Sequence, residues 1–151
     1  MVRDSTATVW SMKAVHISTV HPAFDTRIFH KEAKTLQRAG YDVRLIVQHE
    51  KDDSVDGVRI LALPKAGNRL SRMFGHPWRA LPLALAQQVD LYHFHDPELL
   101  PWSLKLRKKT GRPVVYDVHE DVRLQTPNKE WLPRWSRHWI ARIVGWIEDY
   151  C

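Results

Sequence analysis

Short apolar runs alternate with segments of helical periodicity along most of this chain, and that alternation restricts the possible folds more than any other feature. The first run, residues 13–20, is rich in β-branched residues, as buried strands are, and the others cover residues 42–48, 57–63, 89–94 and 114–118. Helices are predicted at residues 27–39, 78–88 and 98–109, with a last one from about Pro133 toward Tyr150. This order predicts the α/β class, with a Rossmann-like parallel sheet and helices on both of its faces.

Composition limits the cellular compartment and the kind of partner that are expected for this chain. The chain has 151 residues and one cysteine, Cys151, so a disulfide framework is excluded and a reducing compartment, the cytoplasm, is expected. No run of about 20 apolar residues is present that would span a membrane. The formal net charge of +6 favours an anionic partner. Residues 1–12 lack the apolar core of a signal peptide, and we expect them to be a disordered leader.

Polar residues gather where the predicted strands end. In a parallel sheet the carboxyl ends of the strands meet at one edge, and ligands bind there at the point where the strand order reverses. In the common order 3-2-1-4-5, the first, fourth and fifth predicted strands are neighbours. We therefore expect the residues that follow those three strands to line one crevice: His21, Asp25, His95, Asp96, His119, Glu120 and Asp121.

Two histidines alternate along the fourth predicted strand, at His93 and His95. Residues i and i+2 of a strand face the same way, so these imidazoles can share a metal, and His119 would complete the site of a His-cluster metal hydrolase. The alternative is that one histidine packs against a helix while the other lines a pocket. A bare pair of histidines is a weak signal for a metal, and we expect no metal ligand in this chain.

Missing patterns exclude several cofactor and partner classes. Residues 21–29, which follow the first strand, lack the G-x-G-x-x-G loop of a dinucleotide site, and the chain contains no P-loop and no G-x-S-x-G motif. The aromatic residues are not interleaved along a strand as an RNA-binding sheet requires. Nucleic acid is therefore not the expected anionic partner.

Five segments, in this order, resemble the opening of glycosyltransferase family 4 proteins, which have the GT-B fold. They read VHPAFDTRIFHKEA, AGYDV, YHFHDPELLP, VYDVHED and KEWLP, and they begin at residues 20, 39, 92, 115 and 129. The resemblance extends from about Lys13 to the last residue. Its motifs are long, so they are specific for the family, and they say little about the substrate.

The resemblance implies a sugar transferase built from two Rossmann-like domains that face a cleft. In such enzymes the N-terminal domain mostly holds the acceptor, and the C-terminal domain binds the nucleotide-sugar donor. Residues 13–151 would be a partial N-terminal domain that lacks the donor-binding domain, binds no cofactor of its own and is inactive alone. The acceptor would be a lipid-linked or cell-surface glycan. The alternative is a split enzyme, in which this chain is a non-catalytic subunit that needs a donor-binding partner chain.

The resemblance also implies roles for individual residues. His119 matches the family histidine at the end of the strand before the cleft, and it would be the catalytic residue. Substrate-binding roles fall to residues of the neighbouring loops: His95, Asp96, Asp25, Arg27, Glu120 and Asp121. Many family members carry paired glycines in the first loop, where this chain has residues 22–27. A phosphate cradle is therefore not expected there.

Two segments combine basic and aromatic residues, as surfaces that bind anionic membranes do. In residues 65–79 the expected membrane contacts are Arg69, Arg72, Trp78 and Arg79. Similarity to GT-B enzymes with lipid-linked acceptors, which use a basic amphipathic helix of the N-terminal domain, supports this segment. Residues 131–146 place Trp135, Trp139 and Trp146 on one helix face. For both segments the alternative is packing on this domain or on the missing one.

Overall fold

The computed structural model of the chain describes residues 11–117 together with residues 139, 142 and 145. Its strands are β1 (Lys13–Pro22), β2 (Asp42–Gln48), β3 (Asp53–Val55), β4 (Val58–Leu63), β5 (Leu91–Phe94) and β6 (Val114–Tyr116). Residues 1–10 of the expected leader and most of the last predicted helix lie outside the described residues; residues 139, 142 and 145 are helical.

Each of the three helices within residues 11–117 begins with a π-helical or 3₁₀ segment and continues as an α-helix. Helix α1 is a π-helical segment, Thr26–Ala33, followed by Lys34–Arg38, and helix α2 is a π-helical segment, Ser71–Gly75, followed by His76–Ala86. Helix α3 is a 3₁₀ turn, Pro97–Leu99, followed by Leu100–Thr110. The second helix begins before the predicted Trp78: its α-helical part starts at His76, where Pro77 fits the first turn, and the π-helical segment extends it back to Ser71.

The strand order in the described part of the sheet is β3-β4-β2-β1-β5-β6, and every pair except β3 with β4 is parallel. The five predicted strands therefore occur in the predicted order 3-2-1-4-5. In register, His16 of β1 lies beside His93 of β5, and Ile17 beside Phe94. The carboxyl ends of β1 and β5 consequently open at the same edge.

A short antiparallel strand, β3, occurs in the acidic segment between the second and third predicted strands. Its Val55 pairs with Val58 of β4, so the connecting loop is Asp56 and Gly57. Both have positive φ, 51° and 78°, as a two-residue hairpin turn requires. Asp-Gly before an alternating strand is the signal for this hairpin, and it is present in the sequence.

Helices cover both faces of the sheet, as predicted. One core lies beneath α2 and α3 and contains Val15 and Ile17 of β1 with Tyr92 and Phe94 of β5. The other lies beneath α1 and contains side chains of β2 and β4, with Phe29 of the helix. Side chains of β1 alternate between these faces, so its His16 points to the α1 side. No helix of the described residues is both long enough and apolar enough to cross a membrane.

Candidate functional site

A histidine at the end of β1 joins two carboxylates from different parts of the edge. His21 Nδ1 lies 3.6 Å from Asp25 Oδ2, and His21 Nε2 lies 3.7 Å from Asp96 Oδ1. Asp25 precedes α1 and Asp96 follows β5, so segments about 70 residues apart along the chain meet at this imidazole. The structure thus brings together His21, Asp25 and Asp96, three of the residues expected to line one crevice.

Asp96 is a buried carboxylate that fastens the end of β1 to β5. Its Oδ2 accepts hydrogen bonds from the backbone N–H of Thr19 at 2.6 Å and of Val20 at 3.3 Å. The same oxygen accepts from Ser18 Oγ at 3.0 Å and from Thr19 Oγ1 at 3.3 Å. One carboxylate oxygen is therefore fully used for structure, and the other, Oδ1, faces His21. The expected substrate-binding role of Asp96 rests on that second oxygen.

Asp25 is the N-cap of α1. Its Oδ1 accepts hydrogen bonds from the backbone N–H groups of Arg27 and Ile28, each at 2.9 Å. A carboxylate satisfies these unpaired N–H groups well, since the helix terminus carries partial positive charge. Its other oxygen faces His21. Asp25 and Asp96 are thus held in the same way: one carboxylate oxygen accepts hydrogen bonds from backbone N–H groups, and the other faces His21.

Arg27 links α1 to the end of β6. Its Nε donates to Glu32 Oε1 at 3.1 Å, and its Nη2 donates to Asp117 Oδ1. Burial by itself would lower the pKa of Arg27, but its hydrogen bonds and charge attraction with Glu32 and Asp117 outweigh it and raise that pKa. The Arg27 side chain is 43% exposed, so it remains accessible from the edge while it is held in place.

Below this edge, on the α1 side, lies a group that we name the histidine cluster: His16, His93, His95 and Glu32. His16 Nδ1 and His95 Nε2 share a hydrogen bond of 3.0 Å, and the two rings are stacked. Burial, and next the charge of His93, lower the pKa of His16 to about 3, so its imidazole is neutral. Burial likewise raises the pKa of Glu32. Because His95 is buried and shares a hydrogen bond with His16, it lies in the cluster and not in the open part of the edge.

A cavity of about 660 Å³ opens beside His21 at the ends of β1, β2 and β4. Most of its lining is apolar, and charged groups stand at its rim. The lining residues are Val20, His21, Pro22, Ala23, Phe24, Gln48, His49, Glu50, Pro64 and Lys65. This volume lies within the range of about 300–1,000 Å³ that is usual for small-molecule sites. His21 belongs to both the cavity and the carboxylate pair.

The residues expected to contact a membrane lie on or near α2, and they differ in exposure. Arg69, Trp78 and Arg79 are exposed, whereas Arg72 is turned inward, with its Nε 3.8 Å from Glu98 Oε1. Two further apolar side chains, Leu70 and Phe74, are each 67% exposed and share a helix face with Trp78 at spacings of four residues. On α3, Lys105 Nζ lies 5.5 Å from the Trp78 ring centroid.

Three of the expected site residues, His119, Glu120 and Asp121, lie outside the described residues. The same holds for Trp135 and Trp146, while Trp139 is helical and exposed.

Sequence reasoning missed two residues of the histidine cluster, His16 and Glu32. A signal for His16 is that it alternates with Val15 and Ile17 in the first predicted strand, so it faces the side of the sheet opposite to theirs. Glu32 had no such signal, because its approach depends on how α1 docks.

Comparisons with known proteins identify the fold. Residues 26–150 match the model of the glycosyl transferase 4-like domain. Among solved structures, sucrose-phosphate synthase from Thermosynechococcus elongatus matches with a TM-score of 0.65 at 12% sequence identity. The match covers 89% of this chain and 39% of that one, so the chain spans well under half of the length of that relative. No curated protein matches the chain.

At 12% identity the structural match establishes a shared fold and nothing more, whereas the family match covers 125 of the 151 residues, counted from 26 to 150. Together with the parallel sheet and its helices on both faces, it shows that this chain belongs to the glycosyl transferase 4-like family.

Proposed function

We propose that this chain forms the acceptor side of a glycosyltransferase that moves a sugar from a nucleotide-sugar to a lipid-linked or cell-surface glycan. The observation that carries the proposal is the position of His21, between two carboxylates and at the rim of the cavity. Transfer requires an acceptor hydroxyl held in line with the donor, and polar groups at strand ends orient hydroxyls well. Asp25 and Asp96 act through His21 as positioning residues.

The cavity supplies the second half of the acceptor site. Its apolar walls suit the face of a sugar ring or the first part of a lipid, and its polar rim suits hydroxyl groups. Lys65 and Arg27 add positive charge near an acceptor that carries phosphate. His119 is the proposed catalytic residue, with Glu120 and Asp121 beside it, on the strength of the family motif that begins in β6.

The nucleotide-sugar binds on the donor side, which we assign to a C-terminal domain or to a partner chain. A match to 39% of a longer synthase is what a chain with one side of a two-sided cleft would produce. No cofactor is assigned to this chain itself. The reading frame beyond Cys151 distinguishes a continuous enzyme from a split one with this chain as a subunit.

The acceptor proposal is tested by binding a short polyprenyl-diphosphate-linked disaccharide to the chain. We expect His21→Ala to weaken binding by about tenfold or more, because the group that orients the hydroxyl is lost. His30→Ala is the matched control, since His30 is an exposed histidine on α1 outside the cavity. Equal binding by wild type and His21→Ala, with the control also unchanged, would refute the assignment.

We further propose that α2 attaches the protein to the cytoplasmic face of an anionic membrane. The exposed apolar stripe of Leu70, Phe74 and Trp78 is flanked by Arg69 and Arg79, the arrangement of an interfacial helix. Such attachment would bring the cavity near a lipid-linked acceptor. Arg72 contributes less, because it pairs with Glu98.

Sedimentation with vesicles of phosphatidylcholine and phosphatidylglycerol tests this surface. The pair Arg69→Glu and Arg79→Glu should reduce the bound fraction severalfold, and more strongly at low salt, because each basic residue contributes about 1 kcal/mol near an anionic surface. Arg38→Glu, an exposed change on α1, is the control and should have little effect. If the double variant with Arg69→Glu and Arg79→Glu sediments like the wild type, as the control does, the membrane proposal is wrong.

A further inference from the structure

Three imidazoles and one carboxylate come together beneath the edge of the sheet. His16 and His93 are neighbours across the β1–β5 ladder, His95 follows β5 on the same face, and Glu32 reaches them from α1. One ligand atom from each of these four residues lies within 4.8 Å of the other three. The rings of His16 and His95 are buried, and His93 is half-buried. From this arrangement we propose that the histidine cluster binds one transition-metal ion of the zinc class.

The spacing of the ligand atoms fits such an ion. His16 Nδ1 and His95 Nε2 are 3.0 Å apart, and Glu32 Oε2 lies 3.9 Å from the first and 3.8 Å from the second. A circle through three atoms at these separations has a radius of about 2.1 Å, which equals the usual zinc-to-ligand distance of about 2.0–2.2 Å. His93, whose Nε2 atom is buried, is the fourth ligand. Metal binding replaces the hydrogen bond between His16 and His95.

Groups around the cluster hold two of the ligands in the orientation that a metal requires. Arg27 Nε donates to Glu32 Oε1, which leaves Glu32 Oε2 directed at the histidines. That Oε2 atom is buried and accepts no hydrogen bond from a described residue. On the other side, Asp117 Oδ2 lies 3.6 Å from His95 Nδ1, so His95 presents Nε2 to the cluster. A carboxylate behind a histidine ligand is the usual support of zinc sites.

The chemistry of the ligands selects the kind of ion. Imidazole suits zinc, copper, iron and nickel, whereas magnesium and calcium require an oxygen-rich site. Ligands must be deprotonated, and burial keeps the His16 imidazole neutral. A dication would also offset the negative charge of Glu32, which burial disfavours. Because the ligands are largely buried and number four, the ion would tie α1 to β1 and β5 and would have no position open for a substrate.

The test uses the full 151-residue chain after removal of metals by a chelator. Zn²⁺ alone is titrated against a chromophoric chelator, and Co²⁺ alone serves as a spectroscopic probe. We expect one equivalent of Zn²⁺ to bind at submicromolar concentration, a rise in Tm with Zn²⁺, and the visible bands of tetrahedral Co²⁺. Absence of stoichiometric binding would overturn the proposal, whatever the outcome of any transferase assay.

Three variants locate the site. His16→Gln and His93→Gln should each weaken Zn²⁺ binding by more than about 100-fold. Asp117→Asn should weaken it by about 10-fold, because it weakens the support of His95 and of Arg27 but removes no ligand. The matched control, His30→Gln, should bind as the wild type does. Circular dichroism checks whether each variant is folded. If His16→Gln does not fold, His93→Gln is the deciding variant, because His93 is only half-buried. Unchanged affinity in folded His93→Gln would overturn the assignment.

Discussion

The two faces of β1 are stabilised in different ways although they belong to the same strand. Val15 and Ile17 point toward α2 and α3 and are buried among apolar side chains. His16 and Ser18 point the other way, where contacts are hydrogen bonds and ion pairs with fixed partners. Burial of apolar area is not directional and tolerates repacking, whereas polar contacts require fixed distances. The apolar face therefore stabilises the sheet, and the polar face sets the positions of the groups at its edge.

The largest effect is expected on the apolar face. Ile17→Ala removes a fully buried side chain from a packed core, so it should lower the free energy of unfolding by about 2–5 kcal/mol. Urea denaturation measures the change. A loss below about 1 kcal/mol would mean that this face is not the main source of stability, and the contrast between the faces would fail.

A smaller effect is expected at the polar end of the strand. Asp96→Asn keeps the size of the side chain but removes the charge from an oxygen that accepts four hydrogen bonds from residues 18–20. We expect a loss of about 1.5–3 kcal/mol in the free energy of unfolding, the usual range for hydrogen bonds to a charged group. Asp53→Asn on exposed β3 is the control. Equal stability of the two variants would show that Asp96 does not fasten β1 to β5.

The polar face should also make stability depend on pH. The pKa of His16 is about 3 in the fold against an ordinary 6.5, so the unfolded chain binds the proton more readily. The contribution of neutral His16 to the free energy of unfolding is complete above pH 6.5. It is lost as pH falls from 6.5 toward 3, at up to about 1.4 kcal/mol per pH unit. The groups that face it are His93, His95, Glu32 and Asp117. Among them, the raised pKa of Glu32 acts in the opposite direction.

Urea denaturation of metal-free protein at several pH values between 7.5 and 4 measures this dependence. In His16→Gln the slope should be smaller, because the substituted side chain does not titrate. Ile17→Ala should keep the slope of the wild type at a lower stability. A wild-type slope in His16→Gln would assign the dependence to other groups and would remove His16 from the account.

The sequence predicted the sheet well and its edge less well, for a physical reason. Strands and their order follow from apolar periodicity, which is local, and from the preference of α/β chains for one topology. The hydrogen bonds of Asp96 and the approach of Glu32 to His16 depend on distances between elements, which no local pattern contains. The metal site that we propose shows this limit. The expectation of no metal weighed His93 and His95 with His119, Glu120 and Asp121, whereas the fold places His16 and Glu32 beside that pair.

For the same reason, His95 and Asp96 are less accessible than their expected roles in substrate binding suggest. Both were grouped with the crevice because they follow a strand, but the chain turns at this point and both side chains are about 2% exposed. His21, a half-buried residue between Asp25 and Asp96, is the group that faces the cavity. A residue that directly follows a strand can be assigned to the edge of the sheet from the sequence, whereas its burial in the fold determines whether it can contact a ligand.

The most direct test of the acceptor assignment is a titration of the isotopically labelled chain with the polyprenyl-diphosphate-linked disaccharide, followed by NMR. The account predicts saturable shifts of the imidazole signals of His21 and His49, both of which line the cavity, with little change at His30 on α1. Shifts confined to α2, or no shift at His21 at saturation, would contradict it.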